Sequence, residues 1–466
     1  MPLSPRFANR WELPTLGASL AVAIALAFAL ARKTLADRIR ADEAVECGAH
    51  LCHLSLVDFR DATWRPVTWF ITGNNPYDTE TYLQHFPNSL DYPTYAPGHL
   101  VLWAPLGWMD WRAAGLLETV VAMAVIVATG CWLGLRAAEL TPAALIPAGR
   151  EGAIKRAVAA TWGAILLLLC RPVTLAYYLG QPSIVYVLLA VPAIMVRNKY
   201  IGVILVAVCC MKPHIGLAVV VVLLARGAWR RALIGVGFAT LVSLAATPVM
   251  AGGISGVPGW FSSLVGNISE SSTRRTTDWL DERIDIVGSL QHAGFGVSTL
   301  TTVAVAVAGV VAAYVVVRRT PFRFEWIAVL LGLSLITLTL YHLSYDAAWL
   351  IPPIVLGAFE VARDSRVRRR LAPGLVLLFI GAGISHYYAV DQLGQAFGVE
   401  NFSIWLMRVL LVAGTVLVIA GLWAVLRTGR GAVIPVDAAG AGVQTTHGHP
   451  TSTAGIDTPG ADIAST

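Results

Sequence analysis

The stretch AGFGVSTLTTVAVAVAGVVAAYVVV, residues 293–317, contains no charged side chain and runs straight into Arg318 and Arg319. Roughly 17–25 apolar residues in a helix cross a hydrocarbon core of about 30 Å. This stretch therefore reads as a membrane span. Applied along the chain, the same ruler predicts eleven more, near residues 14–32, 113–138, 157–176, 182–196, 200–213, 214–228, 232–249, 325–342, 346–363, 371–387 and 402–426. The segments between 182 and 228 are short and interrupted by Pro192 and Pro213. They can equally be two long tilted helices or broken half-helices, which a membrane tolerates when neighbours satisfy the backbone.

Composition points the same way. Of 466 residues, 56% are hydrophobic and only 13% charged, and mean hydropathy is +0.66. Soluble domains carry about 25% charged residues, so an ordinary soluble enzyme is excluded. Six cysteines exclude a disulfide-rich secreted domain, and 42 Gly with 24 Pro exclude a collagen-like or disordered chain. The expected fold is an all-α polytopic membrane protein with about twelve spans. Its net charge of +6 is no sign of nucleic acid, because Lys and Arg gather in the cytoplasmic loops of membrane proteins.

A cytoplasmic N-terminus places 21 of the 34 basic residues inside, with both termini cytoplasmic. That orientation requires the apolar stretch PGHLVLWAPLGW, 97–108, to lie at the interface rather than cross, with Trp103, Trp108 and Trp111 at headgroup level. The transmembrane domain then covers 1–428, with outer loops at 33–112 and 250–292, and the Gly-, Ala- and Thr-rich residues 429–466 read as a disordered cytoplasmic tail. The N-terminal run reads as an uncleaved first span, not a signal peptide. Cys131, Cys170, Cys209 and Cys210 fall in apolar spans and read as small core residues. Cys47 and Cys52 lie in the first outer loop, where an oxidising compartment permits a disulfide. With His50 and His53 they form a compact group whose spacing matches no standard metal pattern.

The first outer loop holds the densest polar information: Asp58-Phe59-Arg60-Asp61, then Gly73-Asn74-Asn75-Pro76-Tyr77-Asp78, then Asp91-Tyr92-Pro93-Thr94-Tyr95. Turn chemistry at 73–76 implies an ordered bend. A carboxylate at the outer surface can take the proton of an attacking hydroxyl; the plainer role for Asp58 and Asp61 is helix capping or solvation.

These elements resemble glycosyltransferase family 87 in their order: Asp58-Phe59 after one span, the Gly73-to-Asp78 turn, a Tyr-Pro element, Ala104-Pro105-Leu106-Gly107, Gly180-Gln181-Pro182-Ser183 and Lys212-Pro213-His214. The resemblance runs from about residue 14 to 360. It departs at 92–97, where Tyr-Pro-Thr-Tyr-Ala-Pro stands in place of Tyr-Pro-Pro. What it implies is a GT-C membrane enzyme of the plasma membrane that moves mannose or arabinofuranose from a polyprenyl phosphate to a glycolipid or cell-wall glycan. The site is extracytoplasmic, and Asp58 is the base of an inverting transfer. Asp61 is then an orienting residue or the alternative base.

The leaving phosphate requires cations where its charge develops, and Lys212, Arg60, Arg171, Arg274 and Arg275 are the candidates. Lys212, in apolar surroundings, is a functional residue by default, against simple snorkelling to the headgroups. His342 in the hinge Tyr341-His342-Leu343-Ser344-Tyr345-Asp346 is a further phosphate or sugar ligand, with Asp346 setting its tautomer. Tyr77, Tyr92, Tyr95, Gln181, Tyr345 and Asp346 are the expected substrate contacts. Neither a GxxxxGK[ST] nor a strand-linked GxGxxG motif occurs, which fits a lipid-linked donor. No cofactor or metal is expected, although Asp58 and Asp61 offer part of a divalent-cation ligand set. A secondary transporter of a lipid or sugar is the alternative, and it would place ionisable groups near the membrane midplane in two similar halves.

Overall fold

The computed structural model describes residues 5–42, 55–87, 89, 95–142, 145–146, 149–262, 282–384, 388–399 and 401–429. Eight of its helices are long and apolar enough to cross a membrane: Leu13–Ala36, Trp111–Leu140, Arg150–Leu169, Trp229–Met250, Thr299–Arg319, Phe322–Thr339, Ser344–Ala362 and Phe402–Thr428. Three shorter apolar helices, Ser183–Met195, Lys199–Cys209 and Pro213–Ala225, fill the proline-interrupted stretch. Helix Ser365–Phe379 runs on through a π turn, Ile380–Ile384, over the expected segment at 371–387 as far as residue 384. Each of the twelve expected segments thus coincides with helix over most of its described residues, and eight of them meet the length and apolarity needed to span. The protein is an all-α polytopic membrane protein. The chain divides into a compact unit, Met1–Val425, and a second, Leu426–Thr466, of which the structure describes only the end of the last helix, up to Gly429.

Helix ends follow local chemistry. Asp110, Asn198, Ser298 and Asp364 cap the helices that follow them through side-chain oxygens that accept from backbone N–H groups. Pro172 and Pro213 stand in first turns, where no intrahelical donor is needed. The expected span at 157–176 breaks at Cys170, because Pro172 cannot supply the hydrogen bond that would continue it, and a new helix, Arg171–Leu179, begins. Stretch 97–108 forms two short helices, Pro97–Trp103 and Ala104–Trp108, neither long enough to cross.

Helices Trp111–Leu140 and Arg150–Leu169 pack closely along small residues. A Cβ on Gly130 would come within 2.8 Å of Ala164 N and Gly163 O, so the pair meets backbone to backbone. The three short helices have 13, 11 and 13 residues, or about 20, 17 and 20 Å at 1.5 Å per residue. That is well short of a roughly 30 Å core. Their polar ends, at Gln181 and Lys212, converge with Arg171–Leu179 and with the 3-10 segment Ser344–Leu350. This is where the site forms.

Candidate active site

One wall of the site is built on residues 55–64. Leu56, at φ 60°, turns the chain into the helix at Val57–Phe59, and its N–H donates to Tyr178 O at 2.9 Å. The loop is thereby fixed to the end of helix Arg171–Leu179. Gly180, at φ +66°, terminates that helix in the left-handed region that glycine adopts without strain. A Cβ there would lie 2.8 Å from both Leu56 Cδ2 and Phe59 Cβ. This close approach sets Gln181 beside Asp58. Gln181 Nε2 donates to Asp58 Oδ2, while Gln181 Oε1 accepts from Tyr95 OH at 3.2 Å and from Ser183 Oγ at 3.1 Å. An ionised carboxylate can only accept, so the NH2 group points at Asp58 and the two hydroxyls donate to the amide oxygen.

Tyr95 is held from behind. Its carbonyl accepts from Tyr77 OH at 2.8 Å, and its ring stacks on His99 with centroids 4.3 Å apart. His99 is bound by Tyr186 OH at 2.6 Å and Thr63 Oγ1 at 3.1 Å. Burial lowers the His99 imidazole to about 3, leaving it neutral. Burial, then Tyr186 and Asp58, push the Tyr95 phenol well up, so it stays a hydrogen-bond donor.

The opposite wall joins two breaks between helices. Lys212, at 8% exposure, sits between Lys199–Cys209 and Pro213–Ala225. Its Nζ donates to Asp346 Oδ1 at 2.8 Å and lies 5.3 Å from the centroid of the Tyr345 ring. Asp346 is buried at 1%, with His214 Nε2 3.6 Å from Oδ2. The rings of His214 and His342 meet edge to face at 4.9 Å. Burial, then His214, lower the His342 imidazole to about 3. Its Nδ1 lies 3.2 Å from Leu340 O, so this carbonyl sets the tautomer, the task expected of Asp346. The hinge backbone is pinned in turn, because Ile284 N donates to His342 O at 3.0 Å. Neighbouring Arg283 makes a two-pronged contact with Asp285 at 3.0 and 2.7 Å.

The walls meet where Ala96 N donates to Met211 O at 3.0 Å. Asp58 and Asp346 are both within electrostatic reach of Tyr95 and Tyr345. A half-buried carboxylate and a buried ammonium group are thus linked to the same pair of buried tyrosines, Asp58 through electrostatic reach and Lys212 through its contacts with Asp346 and Tyr345.

Residues 94–344, more than half of the chain, match the model of glycosyltransferase family 87. The chain belongs to glycosyltransferase family 87. It is accordingly a membrane glycosyltransferase, acting on glycan or lipid substrates at a bilayer. No curated protein and no solved structure matches it. The matched region of this family 87 chain includes Tyr95, Gln181, Lys212, His214 and His342, whereas Asp58 precedes it and joins the site through Gln181.

Of the residues singled out in the sequence, the fold brings together Asp58, Tyr95, Gln181, Lys212, His342, Tyr345 and Asp346. Others have different places. Asp61, buried at 1%, takes Arg60 Nε at 2.8 Å, Arg60 Nη2 at 3.1 Å and Arg65 Nη1 at 2.8 Å. Asp61 and Arg60 thus neutralise one another within the wall. Tyr77, at 1% exposure, supports Tyr95 from behind. Arg171 begins helix Arg171–Leu179, at the end away from Gln181. Tyr92, Arg274, Arg275, Cys47 and Cys52 lie outside the described residues.

Sequence reasoning passed over the role of His214, the Tyr95–His99–Tyr186 support and Glu118, a buried acid inside helix Trp111–Leu140. Glu118 had a usable signal, since an acid inside an apolar span is costly. The contacts of His99 with Thr63 and Tyr186 had none, because the partners are 36 and 87 positions away.

Proposed function

We propose that the protein transfers mannose or arabinofuranose from a polyprenyl-phosphate donor to a lipid-linked or cell-wall glycan, with inversion, on the extracytoplasmic face of the plasma membrane. Asp58 is the general base. It takes the proton from the acceptor hydroxyl as that oxygen attacks the anomeric carbon from the face opposite the phosphate. The bond from that carbon to the phosphate oxygen breaks, and its electron pair leaves with the polyprenyl phosphate. The observation that carries this reading is the half-buried Asp58 carboxylate, met by the buried Gln181 amide and within electrostatic reach of Tyr95 and Tyr345, the latter in contact with the Lys212 ammonium.

The short helices support a lipid donor. Ending at Gln181 and Lys212 after only about 17–20 Å, they put these polar groups within reach of a phosphate carried at headgroup depth. Lys212 opposes the charge that grows on the leaving phosphate, the place where an electrostatic contribution acts most strongly. Tyr95 and Tyr345, both within electrostatic reach of Asp58, are the aromatic groups on which a sugar face would pack. Asp61, held by two guanidinium groups, orients the Asp58 helix and is no base.

The test is transfer by purified Asp58→Asn protein, with thermal stability measured in parallel. Asn keeps the shape and still meets Gln181, but it cannot take the proton. A loss of about 10²- to 10⁴-fold in transfer is expected, with the melting temperature held. A folded Asp58→Asn protein that transfers as fast as wild type refutes the assignment.

A further inference from the structure

The Lys212 wall contains an arrangement that anion binding does not explain. His214, His342 and Asp346 each bring one ligand atom to within 4.8 Å of the others. His342 shows what the cluster accepts. Leu340 O, 3.2 Å from Nδ1, can only accept a hydrogen bond, so the ring proton is on Nδ1 and Nε2 carries a lone pair. The residue is fully buried, and Nε2 has no hydrogen-bonding partner among the described residues. A lone pair in that place repels a phosphate oxygen. It is matched by a cation.

The other two residues complete the set. Lys212 occupies Oδ1 of Asp346; Oδ2 accepts from Leu343 N at 3.3 Å and faces His214 Nε2 at 3.6 Å, which leaves it a second lone pair. An imidazole whose far N–H is held by a backbone carbonyl is the usual state of a metal-ligating histidine, because that contact fixes the tautomer and the ring. We propose that His214 Nε2, His342 Nε2 and Asp346 Oδ2 bind one divalent first-row metal ion, with Zn²⁺ the best match to two imidazoles and a carboxylate. Ligand atoms on a tetrahedral Zn²⁺ at roughly 2.0–2.2 Å stand about 3.3–3.6 Å apart. The Asp346–His214 pair has that spacing already, and about 1 Å of side-chain movement closes the rest. The carboxylate separates the ion from the Lys212 ammonium, one on each oxygen. Resting on the reading of this wall as the phosphate side, the open fourth position takes an oxygen of the donor phosphate, whose charge grows as the sugar leaves. The ion then converts the His342 lone pair from a repulsive group into part of the anion site.

Binding is measured without substrate, so that it stands apart from the transfer reading. Full-length protein in detergent is stripped with chelator and titrated with Zn²⁺, and with Co²⁺ as an optical probe. One equivalent should bind to wild type and to Asp58→Asn. Affinity should fall at least about 10-fold in His342→Ala and in His214→Ala, the usual minimum for disturbing a ligand sphere. X-ray absorption on the wild-type Zn²⁺ complex needs no variant and should read imidazole nitrogen and oxygen ligands. The proposal is overturned if wild type binds no equivalent. It is equally overturned if folded His342→Ala binds as tightly as wild type, or if the spectrum shows sulfur, which would place the ion on cysteine instead. Transfer retained in folded Asp58→Asn with metal binding intact overturns the base assignment alone, whereas a wild type that binds no equivalent while Asp58→Asn still loses transfer overturns the metal site alone.

Discussion

The two walls of the site use carboxylates in opposite ways. Asp346 is fully enclosed and ion-paired to Lys212 at 2.8 Å, with Leu343 N donating to its second oxygen at 3.3 Å. Asp58 is half-buried, and Gln181 donates to it. A buried charge without a counter-charge is costly, so the enclosed acid must be paired, and pairing removes it from proton chemistry. The half-buried acid keeps access to water and substrate. Asp61, three residues from Asp58 but paired with two arginines, belongs with Asp346 in this respect.

The difference is broken most severely at Asp346. Asp346→Asn leaves Lys212 charged, buried and without its anion, and breaking one side of a buried pair costs about 3–5 kcal/mol. We expect a large fall in melting temperature together with loss of transfer. The double variant Lys212→Met/Asp346→Leu sharpens the point, because replacing both charges with apolar groups restores most of the stability without restoring transfer. If Asp346→Asn melts like wild type, the pair is not what holds this wall.

Asp61→Asn should come next. It removes the shared anion of Arg60 and Arg65, but their side chains keep 11% and 16% exposure, so water compensates in part. A stability loss of about 1–3 kcal/mol is expected, with transfer per folded molecule reduced far less than in Asp58→Asn. Transfer that collapses in folded Asp61→Asn while Asp58→Asn remains active would move the base by one turn.

How much of this was legible in the sequence depends on the range of the physics involved. Membrane helices are set by local run length against a fixed thickness of hydrocarbon, so segments such as 293–317 stand out in the sequence alone. The break at Cys170 did not, because Arg171 and Pro172 sit in a run that is otherwise apolar on both sides. Lys212 was legible as a charge in apolar surroundings, and Asp58 as part of an ordered motif. Their partners were not. Tyr95 and Gln181 are 86 positions apart, and Lys212 and Asp346 are 134 apart. The π turn Arg60–Trp64 also directs Asp61 into the arginines while Asp58 faces Gln181, which no helical spacing rule conveys. The ligand set His214, His342 and Asp346 likewise exists only after folding, whereas the acids adjacent in sequence, Asp58 and Asp61, point to different partners.

Glu118 gives the smallest expected effect and the sharpest limit on the comparison. It is 1% exposed, and neither carboxyl oxygen has a hydrogen-bonding partner among the described residues. Tyr177, near enough to interact with it electrostatically, has a hydroxyl in the same condition. If enclosed acids in this fold persist only through pairing, Glu118 gains nothing from being an acid, and a neutral side chain of the same shape should serve equally well. Glu118→Gln is therefore expected to change stability by less than about 1 kcal/mol, toward greater stability, since it removes an ionisable group from a site that does not satisfy it. Transfer should be unchanged. Thermal melting in detergent and in lipid nanodiscs reads this directly. A melting temperature that falls on substitution, in nanodiscs above all, would mean that the Glu118 carboxyl meets a polar partner brought by the bilayer, and the rule drawn from Asp58 and Asp346 would not extend to this span.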